Sequence, residues 1–226
     1  YGQTPTIMDM TEEHVLFFAG TGTIYRYDRI ANTLSIITES SPSDYVFLTE
    51  LENDRMYFRT ADSILVTDGA GTQVQTIPLT DFFAVSMFRH EDLLLVLCSD
   101  GMVRRYDLEG NLLGRTALSV FTSFFAECNN IYLRKIPVTW GITPDNELVV
   151  NAFRLGNVIN METWEMTNDV SQLVVYNPET DRFICQSNDK IYAYPRRSLA
   201  ETMELAKTVL NGFELSEELK TYYGLN

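Results

Sequence analysis

The sequence predicts an all-β fold: a β-propeller of about five four-stranded blades, whole or as a fragment of a larger ring, with a short helical tail. Three observations carry this. Three segments are spelled to one plan, Thr23-Ile24-Tyr25-Arg26-Tyr27-Asp28, Ser63-Ile64-Leu65-Val66-Thr67-Asp68 and Gly101-Met102-Val103-Arg104-Arg105-Tyr106-Asp107, each following a short polar turn and ending in Asp. The closing residues Asp28, Asp68 and Asp107 stand 40 and 39 residues apart, and a period near 40 built of strand-like runs is the spacing of propeller blades. Between these marks the chain reads as short β-branched and aromatic runs separated by Gly, Asn, Asp and Ser turns.

The first repeat places strands at 6–10, 15–19, 24–27 and 33–38, with Gly20-Thr21-Gly22 as a hairpin turn. The second places them at 45–49, 56–59, 64–67 and 74–79, and the third at 83–87, 93–98, 102–106 and 112–118. Each second strand is apolar almost throughout, as a strand covered on both faces by neighbouring blades must be. Beyond residue 119 the spacing stretches. Residues 121–126 and 131–135 read as the first two strands of a fourth blade that 147–153 and 157–161 close across an enlarged loop; alternatively, a blade of its own begins at Val138. Runs at 173–176, 183–185 and 190–194 follow as hairpin strands.

The period then changes from two to that of a helix. Ser198 and Glu201 form a capping box, Leu199, Met203, Ala206 and Leu210 make one apolar stripe, and Asn211-Gly212 supplies a left-handed stop. Ser216-Glu217-Glu218 opens a second short helix. The expected division is therefore propeller repeats over 1–196 and a helical tail over 197–226 that packs on them. Arg196-Arg197 reads as a solvated joint between the two.

Composition bounds the function. The chain of 226 residues has Lys+Arg 17 against Asp+Glu 31, a net charge of −14, which repels phosphate backbones and argues against nucleic-acid binding. Its apolar runs are strand-sized, so no membrane span is expected. Cys98, Cys128 and Cys185 lack metal-ligand spacing and read as small buried hydrophobes in a reducing, cytoplasmic setting, with an extracytoplasmic protein as the alternative. Tyr1 stands where an initiator Met would, as in a processed or excised chain.

Chemistry-bearing residues are sparse. His14 and His90 fall in corresponding turns of alternate repeats, too far apart for a triad or a two-His metal site. Asp28, Asp68 and Asp107 suggest a ring of acids, but each is better placed to cap its own hairpin turn. The glycine-rich turns open no helix and so make no phosphate cradle. Arg104 and Arg105 alternate across one strand, one side chain on each face. No catalytic residue, metal site or cofactor is expected. The stretched region from 119 to 171 collects Phe121, Phe124, Phe125, Tyr132, Trp140 and Trp164 with Arg134, Lys135 and Arg154. Aromatics with Arg on loops of a rigid scaffold are the composition of protein-binding anchors, so Trp140, Arg134, Lys135, Arg154 and Trp164 are the candidate partner-binding set; the alternative is that the aromatics plug a wider blade.

A family resemblance rests on the tail. Leu210-Asn211-Gly212-Phe213-Glu214-Leu215-Ser216-Glu217-Glu218 resembles the helical ending found after WD-repeat propellers in bacterial multidomain proteins, with Phe213 where a basic residue is common and Ser216 where Thr is common. Residues 99–107 resemble the turn-and-strand signature of those repeats, with Tyr-Asp in place of Trp-Asp and no Gly-His dipeptide in any repeat. The resemblance implies a non-catalytic scaffold or sensor within a larger signalling protein, partnered by another protein or by other domains of the same polypeptide. The rival readings are an extracytoplasmic ligand-binding propeller and a carboxylate-based hydrolase or lyase.

Overall fold

The computed structural model describes residues 6–10, 12–19, 23–39, 47–50, 55–59, 62–69, 72–118, 121–122, 125, 133, 136–197 and 199–209. Among them are five antiparallel sheets, each a meander in chain order. The first holds β1 (Thr6–Met10), β2 (His14–Ala19), β3 (Thr23–Asp28) and β4 (Thr33–Glu39). The second holds β5 (Phe47–Glu50), β6 (Arg55–Arg59), β7 (Ser63–Asp68) and β8 (Gln73–Pro78), and the third β9 (Ala84–His90), β10 (Leu93–Cys98), β11 (Met102–Tyr106) and β12 (Leu112–Ala117). The fourth holds β13 (Val138–Ile142), β14 (Glu147–Ala152), β15 (Leu155–Asn160) and β16 (Met166–Ser171). The fifth has three strands among the described residues, β17 (Leu173–Asn177), β18 (Arg182–Ser187) and β19 (Lys190–Pro195). One helix, α1 (Leu199–Val209), follows.

Successive sheets stack face to face. Between the second and third, Ile64, Val66 and Ile77 meet Met87, Leu94 and Val96; between the fourth and fifth, Val149 and Val158 meet Leu173, Tyr176, Phe183 and Cys185. In the second, third and fourth sheets the second strand is the most buried, β10 and β14 each having five of six residues below the surface, because a strand in the middle of a stacked sheet is covered on both sides. First strands of adjacent sheets approach one another, β5 with β9 and β13 with β17, as in blades arranged about an axis.

The closing Asp residues do what their position implies. Asp28 Oδ1 accepts from the amides of Ile30 and Ala31 at 2.9 and 2.8 Å, Asp68 Oδ1 from Thr72 at 2.8 Å, and Asp107 Oδ1 from Asn111 at 2.7 Å. Each carboxylate is absorbed by its own turn rather than aimed at a common centre.

The fourth repeat departs from the expected reading. Of 121–126 and 131–135, expected as strands, the described residues Phe121, Thr122, Phe125 and Leu133 are helical, and the fourth sheet starts at Val138, the alternative register. Thr122 N bonds Leu118 O at 3.0 Å, and the rings of Phe121 and Phe125 stack at 5.4 Å, one helical turn apart. Both rings are buried in the core between the third and fourth sheets, with Leu97, Val103 and Leu148. Gly101 makes this seat possible: its φ is +75°, and a Cβ there would stand 2.5 Å from Thr122 N.

In α1, the described side chains of Glu201 and residues 204–209 are exposed, with Lys207 bonded to Glu204 at 2.7 Å. The expected stop at Asn211-Gly212 and the second helix lie outside the described residues, as do Cys128 and the Gly20-Thr21-Gly22 turn. Cys98 and Cys185 are free and buried, and burial pushes the Cys98 thiol up to about 12.

Candidate functional site

The two arginines of β11 leave the strand on opposite faces, as alternation requires. Arg104 forks onto Asp100, Nη1 to Oδ1 at 2.8 Å and Nη2 to Oδ2 at 2.6 Å, with its guanidinium 3.5 Å from the centre of the Phe82 ring. Burial alone would raise the Asp100 pKa, but the Arg104 fork and the Met102 amide outweigh it and hold the carboxyl below its ordinary value. The arginine is 6% exposed and the aspartate 35%, so the pair fastens the β10–β11 turn to the strand rather than waiting for a ligand. Asp100→Asn is expected to lower stability by about 1–2 kcal/mol at neutral pH. A carboxylate with a depressed folded pKa contributes stability above its unfolded pKa of about 4, lost as pH falls through the folded value. The denaturation midpoints of wild type and variant should therefore converge in acid. A constant gap from pH 7 to pH 2 would show that the charge contributes nothing.

The candidate partner-binding residues fall into three groups. Trp140 stands on β13, half buried: its Nε1 donates to Ser86 Oγ at 2.9 Å and its ring stacks on Phe88 at 5.7 Å, both on β9 of the third sheet. Trp164 lies after β15, with Arg105 of β11 4.1 Å above its ring and its carbonyl accepting from Thr116 Oγ1 at 2.9 Å. A side chain at Gly114 would collide with that guanidinium, since a Cβ there falls 2.0 Å from Arg105 Nη2. Both tryptophans thus stitch the third sheet to the fourth. Arg154 is exposed at the β14–β15 turn beside Phe153, both at positive φ of 65° and 53°, while Arg134 and Lys135 lie outside the described residues. Phe121 and Phe125, gathered with this set in the sequence, belong instead to the core.

The histidines stay apart, in the first and third sheets. His14 begins β2, opposite Asp28, rather than sitting in a turn; Arg26 Nη2 lies 3.1 Å from its Nε2. Arg196 is no solvated joint. Its guanidinium, 10% exposed, reaches Asp181 at 2.9 Å and Glu147 at 3.1 Å and also bonds Asp145, so that it pins the fifth sheet to the β13–β14 turn of the fourth. Tyr176 Oη donates to the same Asp181 at 2.7 Å; burial, then this bond, pushes the phenol up to about 12.

An open groove of about 500 Å³ runs along the outer part of this junction. Val170 of β16 with Phe183 and Cys185 of β18 make its floor, and Tyr192, Tyr194 and Arg197 its rim. The tyrosines of β19 are 39% and 52% exposed and stack on each other at 6.0 Å. A second groove, about 660 Å³ between the second and third sheets, is lined on the third-sheet side by β11 and β12, the third and fourth strands. In the fifth sheet the groove reaches one strand deeper, to β18. Sequence reading missed it because its lining comes from residues 168 to 197 across two sheets, with no local motif.

No family model and no curated protein matches the sequence. Among solved structures the chain is similar to the WD40 beta propeller domain of Doa1, with TM-score 0.57 and 10% identity over 85% of this chain and 63% of that one. It is similar also to the computationally designed Ika8 protein, with TM-score 0.56 and 14% identity over 85% of this chain and 58% of that one. The chain thus spans about three-fifths of the length of these structures, and the likeness is one of fold: five meander sheets stacked as in a WD40-type propeller.

Proposed function

We infer that this chain is a non-catalytic protein-interaction module, an arc of propeller blades within a larger polypeptide that works in the cytoplasm. The observation that carries the reading is the groove beside β19, with its apolar floor, two exposed tyrosines and an arginine on a rigid stack of sheets. Tyr and Arg on a fixed scaffold are the side chains that dominate protein–protein contacts. The exposed Phe153–Arg154 turn adds an aromatic and a cation held in a left-handed conformation where Asn or Gly is easier, a strain more often kept at functional positions than elsewhere. The larger-ring part of the reading is supported by the fifth sheet, whose face away from the fourth exposes Val175 at 37% and Ile191 at 74%.

The double substitution Tyr192→Ala, Tyr194→Ala tests this reading. Both rings are exposed, so the thermal midpoint should move by less than about 3 °C. Affinity-tagged wild-type chain should retain partner proteins from extract of its source cells, and the variant should bind them at least ~5-fold more weakly. Turnover of glycosides or esters by wild type, lost on changing a groove residue, would replace the module with an enzyme.

A further inference from the structure

We propose that the free edge of β19 binds an extended segment of a partner protein as a fourth antiparallel strand, which completes the fifth sheet. The proposal rests on the interaction-module reading and names its surface. Four sheets have four strands and the fifth has three among the described residues, so that among these one edge of β19 presents its backbone groups without a neighbouring strand.

The sibling sheets define what belongs there. In each, the second residue of the third strand pairs with the penultimate residue of the fourth: Ile24 with Thr38, Ile64 with Ile77, Val103 with Thr116, Gly156 with Val170. The fourth-strand member is β-branched in all four. Ile64 and Val103 are fully buried, with this partner beside them and the next sheet packed over them. Their counterpart in the fifth sheet is Ile191, and it is 74% exposed. A β-branched residue on an added strand would stand directly beside it, as in the completed sheets.

At the terminal position the siblings vary, with Glu39, Pro78, Ala117 and Ser171, and charge decides instead. The first residue of the third strand pairs with the last of the fourth, Thr23 with Glu39 and Ser63 with Pro78. In the fifth sheet that first residue is Lys190, exposed at the start of β19, and an added strand ending in Asp or Glu would place a carboxylate opposite it. Residues on the strand's other face would enter the groove beside Tyr192 and Tyr194, continuing the apolar junction of the fourth and fifth sheets through Phe183, Cys185 and Val170. The occupant is therefore a six- or seven-residue extended segment ending in a β-branched residue followed by an acid. β4, Thr-Leu-Ser-Ile-Ile-Thr-Glu, has this spelling within the chain itself, and β-strand addition draws affinity from main-chain bonds and specificity from alternate side chains.

The probe is a blocked synthetic peptide of that seven-residue sequence, titrated into the isotopically labelled full chain. Binding should slow hydrogen exchange of the β19 amides that point away from β18 at least ~10-fold. Lys190→Glu should weaken it at least ~5-fold, with recovery when the peptide's terminal Glu is changed to Lys. N-methylation of alternate peptide amides should abolish binding on the side that faces β19 and spare it on the other. No binding at about 1 mM peptide, or equal binding of a scrambled peptide, would overturn the proposal. Protection, in the free chain, of the β19 amides that point away from β18 would overturn it too, because the chain would then supply the strand itself, as would β19-dependent dimers in sedimentation. If the peptide fails while extract proteins still bind in a Tyr192- and Tyr194-dependent way, strand addition is wrong and the module reading stands; if both fail, both are wrong.

Discussion

Phe121→Ala is expected to lower the free energy of unfolding by about 3–5 kcal/mol, the range for truncating a fully buried aromatic. The ring has 0% exposure and stacks on Phe125, and the two fill the space between the third and fourth sheets with Leu97, Val103 and Leu148. Its backbone rests on Gly101, so the cavity cannot close by a simple slide of the helical turn without displacing the β10–β11 hairpin. Gly101→Ala should cost a comparable amount through a different cause, a Cβ that meets Thr122 and Phe121 backbone at 2.5 to 2.8 Å in a left-handed conformation. Urea denaturation of the two variants measures both. A loss below about 1 kcal/mol for Phe121→Ala would mean that this insertion covers the sheets without bracing them.

The three regular repeats were legible because their turns are written in residues with one structural use: an Asp closing each third strand and accepting the amides of the turn that follows. The fourth repeat keeps the device but changes the letter. Asn160 Oδ1 accepts from Glu162 and Thr163 at 2.9 Å each, as Asp28 does from Ile30 and Ala31. From Asp107 to Asn160 is 53 residues rather than 40, the excess lying in the insertion before Val138. A search for Asp at constant spacing passes over this turn, although an amide oxygen accepts as a carboxylate does. The insertion itself carried a signal, Phe121 and Phe125 at helical spacing, but a short run rich in Phe satisfies a strand pattern equally well. Trp140 and Trp164 were singled out for their chemistry, yet their partners Ser86, Phe88 and Arg105 are 52 to 59 residues distant in the chain. The groove beside β19 depends on which sheet packs on which, and on a strand count that no local pattern contains.

Arg196→Ala is expected to lower stability by about 2–4 kcal/mol, most of it from carboxylates left without their cation. The partners Asp181, Glu147 and Asp145 lie 15, 49 and 51 residues away, which is why two adjacent arginines before a helix gave no sign of it. Burial alone would lower the arginine's pKa; Asp145 and Asp181 outweigh this and hold it above its ordinary value, so the side chain stays charged at every accessible pH. Glu147 is 19% exposed, Asp181 34% and Asp145 64%, and this graded exposure keeps the expected loss below that of a wholly buried triad. Arg196→Lys keeps the charge but cannot meet three acids with a planar fork, so it should recover about half of the loss. Asp181→Asn should be partly redundant with Arg196→Ala: the double variant should lose at least ~1 kcal/mol less than the two single losses combined, because the first change already removes the attraction that the second would break. Since Arg196 joins the fifth sheet to the fourth, hydrogen exchange in Arg196→Ala should quicken in β17 to β19 and not in β9 to β12. Uniform quickening across all five sheets would show instead that they open as one cooperative unit, and that the arginine stabilises the whole stack rather than its last junction.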